Sequence, residues 1–272
     1  MPDDRFTQLP SSLQRASRML RLGDDVPALV AHPDWETPAP AVIWMHGRTV
    51  YKELDPGRYL RWVRAGIAAV ALDLPGHGER LDREHHKAHK TVETIAQMVG
   101  EIDGVVASLR ELGVIDLSRL AIGGMSAGGM VTLRRLCDPH PFIAASVECT
   151  TGDLAGLYFS GDKKWDVEHD PAAVARVDPS AHLGGFEPIP VLALQNELDE
   201  MIPISLQRGF LERLRARYEG VGADPGLVRL HTFPETGAPQ EHAGFGRLSN
   251  EAKGLQLEFL RGVFGLGTEG ES

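Results

Sequence analysis

Short, mostly apolar runs separated by stretches of helical periodicity constrain the fold of this chain more than any other feature. The runs cover residues 42–45, 67–72, 120–122, 142–147, 190–195 and 227–233. Runs of this kind are typical of strands that are covered on both faces of a parallel sheet. Between them, apolar residues recur every three or four positions, as at Val92, Ile95, Val99 and Ile102. The alternation predicts an α/β fold with a mostly parallel sheet and helices on both faces.

The same pattern predicts one α/β domain over residues 1–272. Two strand-like runs flank the Gly23-Asp24-Asp25 turn and predict an N-terminal hairpin at about 15–32. Periodicity weakens between about 150 and 187, where Gly, Asp and Pro are frequent. We expect loops with short helices there, forming a small cap or none. A polar, flexible tail is expected from about 266 to 272.

One predicted strand-to-helix junction carries the motif Gly124-Met125-Ser126-Ala127-Gly128. A serine at such a junction lies on a sharp, strained turn that exposes its Oγ above the carboxyl edge of the sheet. The turn brings the residues two before and two after the serine into near contact, so only very small side chains fit there. Gly124 and Gly128 meet this requirement, and the motif therefore predicts Ser126 as a nucleophile.

A serine hydroxyl needs a neighbouring base, and that base needs an acid to orient it. On an α/β sheet of this kind, the acid and then the histidine follow the serine along the chain. His242 lies in the loop after the last predicted strand, whereas His231 falls inside that strand. Glu197, Asp199 and Glu200 all follow the preceding apolar run. We favour Asp199, because the loop ends directly after it, and place Glu197 second.

Two backbone N–H groups are expected to stabilise the oxyanion that forms when the serine attacks a carbonyl. One belongs to Ala127 and the other to Arg48, in the loop after the run 42–45. The Arg48 side chain is in addition a candidate for binding a carboxylate or other polar group of the substrate. Further candidates for the wall of a substrate pocket are Met125, Phe159 and Trp165.

These motifs resemble those of the α/β-hydrolase superfamily, specifically its dienelactone-hydrolase and prolyl-oligopeptidase-like serine esterase branch. The matching stretches are 42–48, 72–80, 124–128, 190–203 and His242, so the resemblance extends over about residues 26–264. It implies an eight-stranded, mainly parallel sheet and a triad of Ser126, Asp199 and His242. The dienelactone hydrolases themselves have a cysteine as nucleophile. Asn196 occupies a position before the acid where relatives usually have glycine.

We therefore expect a serine hydrolase that cleaves small carboxylic esters through an acyl-enzyme. A peptidase, thioesterase or acyltransferase would use the same three side chains, and a non-catalytic ligand-binding protein could retain the same fold. No metal or organic cofactor is implied. His85 and His89 lie one helical turn apart, but the sequence indicates no third ligand that would complete a metal site.

Composition narrows the expected partners and location. A formal net charge of -10 argues against a nucleic-acid-binding surface, which needs clustered lysine and arginine. No stretch approaches the roughly 18 apolar residues of a membrane span, and the first residues carry no signal-peptide pattern. Two cysteines without metal-binding spacing fit a cytoplasmic protein. The expected partner is a small-molecule ester, and the sequence leaves the oligomeric state open.

Overall fold

The computed structural model describes residues 5–160 and 167–267 of the chain. The strands are β1 Ser17–Leu22, β2 Val26–Ala31, β3 Ala39–Met45, β4 Ala68–Leu72, β5 Ile115–Met125, β6 Ala144–Glu148, β7 Val191–Asn196 and β8 Val228–Phe233. The helices are α1 Ser11–Ala16, α2 Pro56–Arg64, α3 Thr91–Leu112, α4 Ala127–Arg135, α5 Leu154–Phe159, α6 Pro171–Val177, α7 Ile204–Gly220 and α8 Ser249–Phe264.

All eight strands belong to one sheet, in the order β1-β2-β4-β3-β5-β6-β7-β8. β1 and β2 form an antiparallel hairpin, and β2 pairs antiparallel with β4. Every pairing from β4 through β3 to β8 is parallel. The prediction of an eight-stranded, mostly parallel sheet is confirmed, and the carboxyl ends of its parallel strands meet at one edge.

The central strands of the sheet are buried on both faces because helices cover each of them, whereas the edge strands β1 and β8 are partly exposed. Successive side chains of β3 alternate between two apolar cores, as the period of a strand requires. Ile43 and Met45 belong to the core that includes α3, α4 and α7. Val42 and Trp44 belong to the core that includes α1, α2 and α8. The predicted covering of both faces is therefore confirmed, and it explains why β3 is apolar throughout.

Two elements differ from the sequence prediction. Helix α1 was not predicted, because its six residues SSLQRA bury only Leu13 and carry no helical stripe. Strand β5 begins at Ile115, five residues before the apolar run. The sequence did not predict this first half because it is partly exposed and carries polar residues such as Asp116 and Ser118. The segment 150–187 contains the short helices α5 and α6 and a 3-10 helix at Pro179–Gly185, in line with the expected loops and short helices.

No helix in the described ranges is long and apolar enough to cross a lipid bilayer.

Candidate active site

The junction between β5 and α4 is a strained turn centred on Ser126. Ser126 has a φ of 51°, in the left-handed region that side chains disfavour, and its N–H donates to the carbonyl oxygen of Glu148 at 2.9 Å. A Cβ atom on Gly124 would lie 2.5 Å from the carbonyl carbon of Gly128. A Cβ atom on Gly128 would lie 2.3 Å from the carbonyl oxygen of Met45. Neither glycine position has room for a side chain, so the close packing of this turn depends on both.

His242 lies in the loop between β8 and α8 and directs its ring at this serine. Its Nε2 is 2.9 Å from Ser126 Oγ, a normal hydrogen-bond length. The imidazole side chain is 17% exposed, which leaves it open to the cavity beside the turn. The base candidate and the nucleophile candidate are therefore in direct contact.

Asp199, in the loop after β7, holds the other side of the imidazole. His242 Nδ1 lies 3.0 Å and 2.9 Å from the two carboxylate oxygens. The carboxylate is buried, and one of its oxygens accepts the N–H groups of Met201 and Ile202, both at 2.8 Å. An ionised carboxylate only accepts hydrogen bonds, so Nδ1 carries the ring proton and Nε2 is left as the acceptor that faces the serine.

The two other acids in this loop do not contact the imidazole ring. Glu197 faces the surface, where its carboxylate accepts a hydrogen bond from Arg208 at 3.2 Å. Glu200 accepts the main-chain N–H of His242 at 3.2 Å and so contacts the backbone of the loop rather than the ring. The structure thus brings Asp199 to the histidine and leaves Glu197 outside the site.

Asn196, the last residue of β7, clamps the loop that carries the histidine. Its side-chain amide donates to the carbonyl oxygens of Glu241 and, at 2.8 Å, of Gly244. These residues flank His242 on either side, and Asn196 is fully buried. A glycine at position 196 would lack this clamp. Sequence reasoning registered the unusual residue but not its function, because the bonded loop lies 45 residues further along the chain.

Replacing Asn196 with alanine should lower kcat for hydrolysis while leaving KM close to the wild-type value. The loss should be about 10- to 100-fold, because two hydrogen bonds worth about 0.5–1.5 kcal/mol each no longer hold the His242 loop. Steady-state kinetics on an ester substrate would measure both parameters. Asn196→Asp should be at least as impaired, because a carboxylate faces the two carbonyl oxygens without a proton to donate. Glu197→Gln, one residue away on the surface, is the matched control, and wild-type kcat in Asn196→Asp would disprove the clamp.

Two backbone N–H groups beside the serine have no acceptor within the described part of the chain. One is that of Arg48, in the loop after β3, and the other is that of Ala127, at the start of α4. The backbone before Arg48 passes close to the serine, since a Cβ atom built on Gly47 would lie 3.4 Å from the Cβ of Ser126. Free amide donors at this position are suited to stabilise a developing oxyanion.

The serine and the histidine line a cavity of about 500 Å³. Arg48 and Met125, both predicted as pocket residues, also contribute to its wall. Phe159 does not: its side chain is 41% exposed, and its neighbour Tyr158 lines the cavity instead, because adjacent residues of α5 point in different directions. The remaining predicted pocket residue, Trp165, lies outside the described residues. His169 is a further lining residue that the sequence did not single out.

The two histidines considered as a metal site contact neighbouring carboxylates instead. His85 lies 3.2 Å from Asp82, and His89 lies 3.2 Å from Glu84. Across residues 5–160 and 167–267, no three histidine, cysteine, aspartate or glutamate side chains converge as metal ligands would. His77 is buried and stacks on His86, with ring centroids 4.5 Å apart. Burial lowers the pKa of His77 to about 4, so its ring is neutral.

A buried ion pair lies behind the turn at Ser126. The Arg58 guanidinium, on α2, donates to both carboxylate oxygens of Glu148 at 2.6 and 2.8 Å, and it stacks over Trp44 at 4.2 Å. Burial alone would lower the pKa of Arg58, but Glu148 and Asp55 outweigh it and raise the pKa above its ordinary value. The pair connects α2 to the end of β6, whose last residue also accepts the N–H of Ser126.

The fold is that of the α/β-hydrolases, as solved structures of similar shape show. TT1662 from Thermus thermophilus superposes with a TM-score of 0.70 at 20% identity, over 91% of this chain and 97% of that one. The acylaminoacyl peptidase of Pyrococcus horikoshii superposes with a TM-score of 0.72 at 18% identity, over 94% of this chain but 43% of that one. A puromycin-hydrolyzing peptidase of Mycobacterium tuberculosis gives 0.69 at 20% identity, over 93% and 40%.

The sequence matches the prolyl oligopeptidase family over residues 58–266, and the chain belongs to that family. The chain is also similar to a protein named esterase YjfP, of Escherichia coli (strain K12), with 25% identity over 232 residues. That match covers 78% of this chain and 91% of the relative. The protein is therefore a serine hydrolase, and the expectation of an enzyme is confirmed.

Proposed function

We propose that this serine hydrolase cleaves small carboxylic esters through an acyl-enzyme formed on Ser126. The observation that carries the proposal is the continuous chain of hydrogen bonds from Ser126 Oγ through the His242 imidazole to the buried Asp199 carboxylate. Such a chain is what a hydroxyl requires to act as a nucleophile at neutral pH.

In the first half of the reaction, Ser126 Oγ attacks the ester carbonyl while its proton passes to His242 Nε2. Asp199 keeps the imidazole in the correct tautomer and stabilises the imidazolium that forms. The amides of Arg48 and Ala127 donate to the oxyanion. The tetrahedral intermediate then collapses, the bond to the alcohol oxygen breaks, and the alcohol leaves with the proton from Nε2.

In the second half, water replaces the alcohol as the nucleophile. His242 Nε2 accepts a proton from this water as its oxygen attacks the acyl carbonyl, and the same two amides stabilise the second oxyanion. The ester bond to Ser126 breaks, Oγ regains its proton from Nε2, and the carboxylic acid is released. Every proton is accounted for by one imidazole.

We favour esters over amides as substrates because the relative YjfP is named an esterase. Its match covers most of this chain and most of the relative. Amide cleavage is the second candidate, because two of the similar solved structures are named peptidases. Those matches lie below 25% identity and support the fold rather than the substrate. The same three side chains would serve either reaction, so kinetics must decide between them.

The proposal is tested by covalent labelling followed by a substrate panel. A fluorophosphonate probe should attach to Ser126, identified by peptide mass spectrometry, and p-nitrophenyl esters should compete with the label. In the panel, the p-nitrophenyl esters should be turned over faster than thioesters, lactones or aminoacyl amides. Labelling at another residue would refute the assignment of the nucleophile, and faster cleavage of the amides would make the enzyme a peptidase.

A further inference from the structure

The wall of the cavity contains a cationic side chain that lacks a counter-charge. Arg48 lines the cavity together with Ser126 and His242. Its guanidinium donates one hydrogen bond to a neutral acceptor, the main-chain oxygen of His86, while its Nε is buried without an acceptor. In the described part of the chain, no carboxylate lies within the 4 Å that defines an ion pair with it.

The groups around this guanidinium do not neutralise it. His169 lies near it on the cavity wall, and its Nε2 is likewise buried without an acceptor. Burial lowers the pKa of His169, and the nearby Arg48 guanidinium lowers it further. The acidic side chain among the described lining residues is Glu200, whose carboxylate accepts the main-chain N–H of His242. This part of the wall therefore offers donors and positive charge.

Lys52 and Arg58 are buried cations that are paired with carboxylates, whereas Arg48 is partly buried and has no such pair among the residues that the structure describes. Lys52 contacts Asp73 at 2.9 Å and Glu79 at 2.6 Å. Arg58 is paired with Glu148, as described above. An uncompensated buried charge costs several kcal/mol, which a well-paired charge largely avoids. Arg48 is partly buried on the wall of the cavity and bears part of this cost, as is typical of a side chain that binds a ligand of opposite charge.

We propose that the Arg48 side chain binds a carboxylate of the substrate, so that the preferred esters of this hydrolase are anionic. This inference rests on the proposed esterase function and names its substrate class. The planar guanidinium presents its N–H groups in a geometry that matches a carboxylate. Because Arg48 directly follows Gly47, where the backbone closely approaches Ser126, its side chain would hold that carboxylate a few atoms from the scissile carbonyl.

The test compares matched pairs of esters that differ in one charge. On the acyl side, the pair is p-nitrophenyl hydrogen adipate and p-nitrophenyl methyl adipate. On the alcohol side, it is p-acetoxybenzoate and its methyl ester. The wild-type enzyme should have a higher kcat/KM for the anionic member of at least one pair. In Arg48→Gln, that ratio of anionic to neutral kcat/KM should fall by about 10- to 100-fold, the range for a hydrogen-bonded charged group.

Two further variants keep the result interpretable. Arg48→Lys keeps the charge but loses the planar fork, so its ratio should lie between those of the wild type and Arg48→Gln. Arg229→Gln removes the same charge from an exposed position in β8, away from the cavity, and its ratio should equal that of the wild type. A drop in Arg229→Gln as large as in Arg48→Gln would attribute the preference to net charge and overturn the proposal.

The outcomes separate this proposal from the esterase function. Equal wild-type kcat/KM for both members of both pairs, or an unchanged ratio in Arg48→Gln, would overturn the anionic preference and leave an esterase for neutral substrates. The absence of ester turnover and of fluorophosphonate labelling would instead refute the esterase function. Because the readout is a ratio within one variant, any effect of the substitution on the Arg48 backbone amide cancels between the two substrates.

Discussion

Replacement of Ser126 with alanine should lower kcat/KM for ester hydrolysis by about 10⁴- to 10⁶-fold, the range for losing the nucleophile of such a triad. The reason is chemical rather than structural. Ser126 Oγ is the atom that faces His242 Nε2, at 2.9 Å, and alanine leaves the imidazole without a hydroxyl to deprotonate. The size of the loss is measured from the hydrolysis of a p-nitrophenyl ester, at enzyme concentrations high enough to detect the residual activity.

The fold of this variant should persist, because the substitution removes one partly buried hydrogen bond. Circular dichroism and the midpoint of thermal unfolding should stay close to the wild-type values. Ser118→Ala, in the exposed first half of the same strand β5, is the matched control and should hydrolyse esters at the wild-type rate. A fall in kcat/KM of less than tenfold in Ser126→Ala would mean that another group carries the reaction.

The largest effect on stability is expected from Glu148→Leu, which leaves the Arg58 guanidinium buried beside an apolar side chain. Removing one partner of a buried ion pair costs about 3–5 kcal/mol in the free energy of unfolding. Arg58 is 4% exposed and Glu148 is 2% exposed, so water cannot replace the lost partner. Unfolding in urea, followed by circular dichroism, gives this free energy by linear extrapolation.

A double variant separates the charge effect from a packing effect. Arg58→Met combined with Glu148→Leu should recover most of the lost free energy, because neither charge is then left without its partner. Glu84→Gln breaks an ion pair with Lys87 whose side chains are 45% and 59% exposed, and it should cost less than about 1 kcal/mol. If Glu148→Leu lowers the free energy of unfolding no more than Glu84→Gln does, the Arg58–Glu148 pair does not stabilise the packing of α2 against β6.

The fold could be predicted from the sequence because its signals are local. Most of the apolar runs mark strands that are buried on both faces, and the last marks the partly exposed edge strand β8. The stripe at Val92, Ile95 and Ile102 marks the buried face of α3. The early half of β5 and the helix α1 were missed because they bury little apolar surface of their own. Their formation depends on neighbours in the folded chain.

In the candidate site too, the residues with local sequence signals could be predicted, and those that depend on long-range contacts could not. Ser126, Asp199 and His242 could be proposed because each follows a predicted strand that ends at the same edge of the sheet, and the structure places them in contact. Their catalytic roles remain a prediction for the experiments above. The Asn196 clamp was missed because the interaction becomes visible only when the loop after β8 folds back. The Arg58–Glu148 pair joins residues 90 positions apart, and no local pattern reports it.

The side chains of the proposed triad are far apart in the sequence, which on the proposed mechanism affects when the protein becomes reactive. Ser126 and His242 are 116 residues apart, and Asp199 and His242 are 43 residues apart. During translation, the serine therefore leaves the ribosome well before the histidine that would ionise it. On the proposed mechanism, a nascent chain carries an inert hydroxyl until the segment after β8 has been synthesised and has folded against β7. The polypeptide would thus be unable to cleave its proposed ester substrates while it is still being made.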